Sequence, residues 1–227
     1  MKSEFDDARF FEEYEKMFRS KGGLSASGEW RQLEPLFPDV KGKKILDPGC
    51  GYGRHCRYGA DHGADKVPGL DFSQKMIAKA REINGSKTIE YRICGIEEYA
   101  YPANTWDCII SNLALHYIEN LDAVYRKVYR TLKKEVIFLF YIEHPVFTAG
   151  IHQEWIYDQE SRPLYCQVAR QHHTLTRILS GLLQNNFELL AVEDVQPSEE
   201  MPAMPGMKDE ICRPMMVLVQ ARARKTI

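Results

Sequence analysis

An acid followed by three alternating glycines is the most chemically pointed stretch of the sequence. Asp47-Pro48-Gly49-Cys50-Gly51-Tyr52-Gly53 comes directly after the apolar pair Ile45-Leu46. Closely spaced glycines let a backbone approach a ligand that any Cβ would hold off, and a helix opening after them turns its free N–H groups toward the same place. A second acid, Asp71, closes the next apolar run, where it can accept hydrogen bonds from ribose hydroxyls. Glycine loop and distant acid together point to a nucleoside-bearing ligand. Two phosphate-centred readings fail. The dinucleotide fingerprint G-x-G-x-x-G, started at Gly49 and Gly51, meets Arg54 where its third glycine belongs, which argues against a nicotinamide-dependent oxidoreductase; no G-K-[ST] follows for a phosphate loop.

Other residues with useful chemistry stand at the ends of later apolar runs. His116 lies just past one such run, and Glu143 and His144 lie just past the next. Imidazole is the side chain that exchanges protons near neutrality, so both histidines are candidate general bases, against the plainer reading of hydrogen-bonded structural residues. His172-His173 precedes a helix as its polar entry, with no third residue at metal-ligand spacing, and no metal is expected. The six cysteines are scattered without a C-x-x-C pair and read as reduced thiols.

Strands alternating with helices must position these groups. Strands are expected over residues 44–47, 66–71, 88–94, 106–111, 136–142, 187–195 and 214–221, with helices over 52–62, after Ser73 as N-cap, around Leu121 to Leu132 and from Leu175 to Leu183. The unbroken apolar run at 136–142 suits a strand buried on both faces. This alternation predicts an α/β fold, a Rossmann-like doubly wound sheet with helices on both faces, whose right-handed crossovers bring the ligand to the carboxyl ends of the strands. Ahead of it, Phe10, Phe11, Tyr14, Met17 and Phe18 share one helix face; after Gly22-Gly23 a second short helix carries Trp30, Leu33 and Leu36 toward Pro38. Residues 1–38 thus form either a helical lid, with Tyr14, Arg19 and Trp30 lining a substrate pocket alongside Glu143, or a helical pair packed permanently on the domain. Residues 144–171 form a cap or a long connection, and 197–213, rich in proline and methionine, an adaptable apolar wall. The whole chain, 1–227, reads as a single domain.

Composition narrows the partners. A formal net charge of -2 and a pI near 6.4 give no global attraction to polyanions, so no nucleic-acid partner is expected. The start of the chain is acidic rather than basic-then-apolar, and no apolar run reaches membrane-spanning length, so we expect a soluble cytoplasmic protein acting on a small molecule, as a monomer or homodimer.

The blocks Leu46 to Gly53, Gly69-Leu70-Asp71-Phe72-Ser73, Ile96-Glu97-Glu98, Trp106 to Tyr117 and Met215-Met216-Val217-Leu218, in this order and spacing, resemble the class I S-adenosylmethionine-dependent methyltransferases. Within them the chain is most similar to bacterial small-molecule enzymes of the broad ubiquinone/menaquinone-methyltransferase-like group. The resemblance implies a seven-stranded mixed sheet with the last strand antiparallel, and S-adenosyl-L-methionine as cofactor. It implies that the backbone at Gly49, Cys50, Gly51 and Gly53 meets the methionine part while Asp47 accepts from its ammonium, and that Asp71 takes the ribose. By the same resemblance Phe72 packs on the adenine, Ile96 and Glu97 read its edge, and Ser111, Asn112 and Leu113 lie where the methionine portion bends. Asp71 could instead cap the following helix, although Ser73 already suits that role; Met76 has the spacing of a core residue, and Glu97 that of a solvated turn. Methyl transfer from a sulfonium needs mainly an in-line nucleophile, with positioning supplying up to roughly 7–11 kcal/mol. A base such as His116 or His144 is needed only when the nucleophile must lose a proton. A non-catalytic sensor of the cofactor or its demethylated product would use the same residues. Pro48 removes one N–H beside the ligand, Pro68 interrupts an inner strand, and Lys133-Lys134-Glu135 stands where relatives carry a glycine-rich turn.

Overall fold

The computed structural model describes residues 3–27, 29–149, 171–196 and 214–225. Seven strands make one sheet in the order β3-β2-β1-β4-β5-β7-β6: β1 (Ile45–Pro48), β2 (Val67–Asp71), β3 (Ile89–Ile93), β4 (Trp106–Asn112), β5 (Leu132–Glu143), β6 (Phe187–Val195) and β7 (Met216–Ala223). The first five run parallel, and β7 lies antiparallel between β5 and β6. This is the expected mixed sheet with its last strand reversed.

The helices are α1 (Ala8–Lys16), α2 (Phe18–Gly22), α3 (Trp30–Leu33), α4 (Arg54–Asp61), α5 (Gln74–Asn84), α6 (Leu121–Thr131), α7 (Pro145–Thr148) and α8 (Leu175–Gln184). Strand periodicity sorts the core into two layers. Leu46, Phe138, Phe140 and Val217 meet Val124, Tyr125 and Val128 of α6 and Ile178 and Leu182 of α8. Ile45, Leu139, Tyr141 and Leu218 face Cys56 of α4, Ile77 and Ala80 of α5, and Trp30 and Leu33 of α3. Side chains of β5 alternate between the layers, as a central strand covered on both faces requires. Met76 is buried, as core spacing predicts.

Three local expectations need correction. The single N-terminal helix breaks at Met17, whose extended backbone (φ -58°, ψ 144°) separates α1 from α2. Lys133-Lys134-Glu135 is no turn before the strand but an irregularity inside it. Pairing shifts from Trp106↔Leu132 to Cys108↔Ile137, Glu135 takes φ 59°, and Lys133 Nζ bonds Asp107 Oδ1 at 2.7 Å. Pro68 does sit in an inner strand. The β1–β2 register is the same on either side of it, from the isolated Lys44↔Lys66 bridge to Asp47↔Gly69, so the sheet closes over one missing donor.

No helix among the described residues is long and apolar enough to cross a membrane. The expected wall at 197–213 lies outside the described residues, as does most of the expected cap, residues 150–170.

Candidate functional site

The strand order reverses between β1 and β4, and a doubly wound sheet opens its ligand crevice at that point, beyond the carboxyl ends of the strands. The two ends are tied together by Ser111, whose buried hydroxyl donates to the Pro48 carbonyl at 2.8 Å. Pro48 therefore gives up an N–H but uses its carbonyl to hold the crevice in register.

The three glycines turn out to have different tasks. All have positive φ: 83° at Gly49, 51° at Gly51 and 72° at Gly53. A Cβ on Gly49 would stand 2.2 Å from the Ala114 Cβ, and one on Gly53 would stand 2.1 Å from the Tyr91 hydroxyl, so both are packing glycines. A Cβ on Gly51 would meet nothing within 4 Å. Only Gly51 thus faces open room. Four of the loop amides, expected to be offered to the ligand, are committed internally. Gly49 and Cys50 N–H both donate to the Leu70 carbonyl at 2.7 and 2.8 Å, Gly53 N–H to the Cys50 carbonyl, and Gly51 N–H to Asp71 Oδ2 at 2.9 Å.

What the crevice presents is a set of acceptors. Asp71 takes one N–H on each oxygen, from Gly51 and from Ser73 (2.9 Å), and each oxygen keeps a further lone pair. Ser73 is the helix cap, accepting from Met76 N–H at 3.1 Å, which leaves Asp71 for another role. Burial pushes the Asp71 carboxyl up to about 6 against the pull of those N–H bonds. Asp47, 1% exposed, accepts the Cys56 thiol on Oδ2 at 3.3 Å, while its Oδ1 makes no hydrogen bond among the described residues; burial raises it to about 7. Asn112 Oδ1 at the end of β4 is a second buried acceptor without a bond among the described residues. Leu113 turns the chain out of β4 at φ 51°.

A crevice lined by the Asp47 and Asp71 carboxylates and the Asn112 oxygen is a poor phosphate cradle, since the carboxylates repel a phosphate. It suits a ligand that brings its own donors and positive charge, namely an ammonium, a pair of ribose hydroxyls and a sulfonium. The residues fit that group on the open face of Gly51, the orphaned Asp47 and Asn112 oxygens, and the spare lone pairs of Asp71. Ile96 is buried beside Gly49, Phe72 is 38% exposed next to Asp71, and the Glu97 side chain is exposed while its carbonyl accepts Lys127 Nζ at 2.5 Å.

Residues 46–140 match the family described as Methyltransferase domain. A protein of Listeria monocytogenes, assigned to the S-adenosylmethionine-dependent methyltransferases, is 36% identical. It superimposes with a TM-score of 0.75 over 88% of this chain and 100% of its own. The chain belongs to the S-adenosylmethionine-dependent methyltransferases. Its cofactor is S-adenosyl-L-methionine. A Mesorhizobium loti S-adenosylmethionine-dependent methyltransferase is 33% identical at a TM-score of 0.74, again over 88% and 100%. Phosphoethanolamine N-methyltransferase 3 of Arabidopsis thaliana is 34% identical over 53% of this chain, which spans only 25% of that plant enzyme.

At the other end of the methyltransferase crevice, past β4 and β5, the expected residues divide. Buried His116 brings Nε2 to 3.8 Å from Oε1 of buried Glu143. His144 is committed on both nitrogens: Nδ1 accepts from Val146 N–H at 3.0 Å, and Nε2 stands 3.4 Å from Asp194. Burial lowers its pKa. Trp30 is buried against Tyr58, Phe37 and His55 on the helix side of the sheet. Tyr14 packs edge-on to Phe5 and Tyr52, and the Arg19 side chain lies outside what the structure describes. His172 and His173 bond Thr148 and the Ile118 carbonyl, and among the described residues no group of three or more metal-ligating side chains gathers.

Three residues at the site carry no signal in the sequence. Glu29, buried just before α3, takes Asn112 Nδ2 on its carboxylate at 3.5 Å and the Tyr141 hydroxyl on its carbonyl at 2.6 Å. Phe5 packs on Phe10, Tyr14 and Tyr117. Asp6 Oδ1 accepts from the Ser73 hydroxyl at 2.7 Å and from Lys75 N–H at 3.0 Å, at the positive start of α5. All three depend on contacts with distant residues, which no local pattern reveals.

Proposed function

We propose that this methyltransferase acts on a small-molecule acceptor seated beyond β4 and β5, with His116 as general base and Glu143 stabilising the imidazolium that forms. The observation carrying the assignment is the buried His116–Glu143 approach of 3.8 Å, on the two strand ends next to the crevice. Bound S-adenosylmethionine supplies an electrophilic methyl group. In this reading Asp71 accepts the ribose hydroxyls in charge-assisted bonds, Asp47 and Asn112 accept from the ammonium, and the open side of Gly51 admits the methionine chain. Phe72, Ile96 and Glu97 border the adenine, and Ser111 and Leu113 fix the end of β4. His144 then acts as a structural residue.

A small acceptor is supported by the mildly acidic chain, which has no electrostatic pull on polyanions, and by the plant relative named for phosphoethanolamine. The broad ubiquinone/menaquinone-methyltransferase-like layout is the subtype we favour. We further read the stretch through α1 to α3 as a lid. Asp6, the Phe5 cluster and the Lys79–Glu15 pair (3.0 Å) hold it across α5 and the turn after β4.

Transfer from methyl-labelled cofactor to a panel of small amines, hydroxyls and carboxylates tests the proposal. Label should reach at least one panel member and should fall with His116→Asn while cofactor affinity holds. Label found only in added RNA or protein would overturn the acceptor class. A His116→Asn enzyme with unchanged kcat across pH would overturn the base.

A further inference from the structure

A cavity of about 700 Å³ lies outside the crevice, between α2 and the adjoining faces of α4 and α5. Its walls include Leu24, Tyr58 and Ile83, while Ser20, Tyr52 and Arg54 supply polar groups. Among the described residues, four cationic side chains and two carboxylates line it. Arg57 pairs with Asp61 at 2.9 Å and Lys79 with Glu15 at 3.0 Å, and Lys21 and Arg54 also line the cavity. The Arg54 guanidinium is fixed by donating to the Ser20 carbonyl and by lying over Gly23, where a Cβ would come within 3.6 Å of Nη1.

Two hydroxyls complete the set. Tyr52 is only 6% exposed, yet its phenol makes no hydrogen bond among the described residues, and neither does the buried hydroxyl of Ser20. A buried hydroxyl left unsatisfied costs about 1–3 kcal/mol, so a pair of them beside a fixed guanidinium is an arrangement that a ligand repays. Burial raises the pKa of this phenol, with Tyr14 and Glu15 adding to the rise and Arg54 opposing it.

We propose that this cavity is a second binding site, for a small organic anion whose carboxylate or phosphate is held by Arg54, Tyr52 and Ser20 while its apolar body rests on Leu24, Tyr58 and Ile83. The site joins the N-terminal segment to α4, directly behind the glycine loop. Anion binding there fastens α2 to the domain. It differs in character from the crevice, which offers acceptors and suits positive charge.

Calorimetric titration of the full chain, saturated with S-adenosylhomocysteine to keep the crevice filled, provides the test. Phenyl phosphate, benzoate and inorganic phosphate serve as probes at fixed ionic strength. Saturable binding is expected for an aromatic anion, tighter than for inorganic phosphate, and the two aromatic probes show which head group is preferred. Tyr52→Phe should weaken it about tenfold or more, since a hydrogen bond to a charged group is lost. The variant should keep its unfolding midpoint, because the phenol makes no hydrogen bond among the described residues. Arg54→Gln should weaken binding further. Absence of saturable binding for every probe would overturn the site, as would equal affinity in wild type and Tyr52→Phe. Displacement of the anion by S-adenosylhomocysteine would place it in the crevice and overturn it too.

Discussion

The two ends of the crevice are built by opposite means. At the proposed cofactor end, β1, β2 and their following turns place Asp47, Gly51 and Asp71 within one short stretch of chain, held by strand pairing and by backbone N–H bonds to Asp71. At the proposed acceptor end, His116 and Glu143 come from two separate strand ends, and nearby Glu29 reaches across most of the fold to Asn112 and Tyr141. The first is written in local sequence. The other is assembled from separate strands and the N-terminal segment, so it can vary without disturbing the first.

The sharpest way to break this comparison is within the glycine loop. Gly49→Ala drives a Cβ into Ala114 at a positive φ and should destabilise the fold by roughly 2–4 kcal/mol, read as a fall in the unfolding midpoint. Gly51→Ala meets no atom, so it should cost only about 1 kcal/mol of backbone strain while weakening the cofactor at least about tenfold. Equal behaviour of the two variants would erase the distinction between packing and ligand-facing glycines.

His116→Asn should lower kcat by about 10²–10⁴ with the cofactor dissociation constant unchanged, measured by steady-state kinetics and titration together. If cofactor affinity fell in step, the two ends would not be separable.

Acidity gives a finer probe. The Asp71 carboxyl sits raised at about 6, and its ionised form is the better acceptor for ribose hydroxyls, so cofactor affinity should rise with pH through about 6, by up to about tenfold per unit below it. Stability of the free protein runs the other way. Asp47 and Asp71 are both raised above their ordinary value, so the folded state holds protons that the unfolded chain releases. Unfolding free energy should therefore fall as pH climbs from about 4 to about 7. Asp47→Asn should flatten that slope. The smallest effect belongs to the N-terminal segment: Asp6→Asn weakens two bonds at the start of α5 and should lower cofactor affinity severalfold at most, with the fold intact.

The same contrast separates what is legible in the sequence from what is not. Strand alternation, the Ser73 cap and the acids at Asp47 and Asp71 follow from periodicity and composition, and each is local. The break at Met17 has no breaker residue to announce it, and the irregularity at Glu135 arises from how β5 must match β4. Trp30 has the composition of a pocket residue, but only packing reveals that Tyr58 and Phe37 enclose it. The glycines illustrate the limit best. Their spacing shows that the backbone must turn tightly, whereas the neighbours that separate Gly51 from Gly49 and Gly53, Ala114 and Tyr91, come from β4's end and β3.

The central claim is that Asp71 holds the ribose of S-adenosylmethionine. Calorimetric titration of the cofactor into wild type and Asp71→Ala, with matched unfolding curves to confirm the fold, tests it directly. Loss of two charge-assisted hydrogen bonds should weaken binding by about a hundredfold or more. A folded Asp71→Ala variant that binds S-adenosylmethionine as tightly as wild type would contradict it.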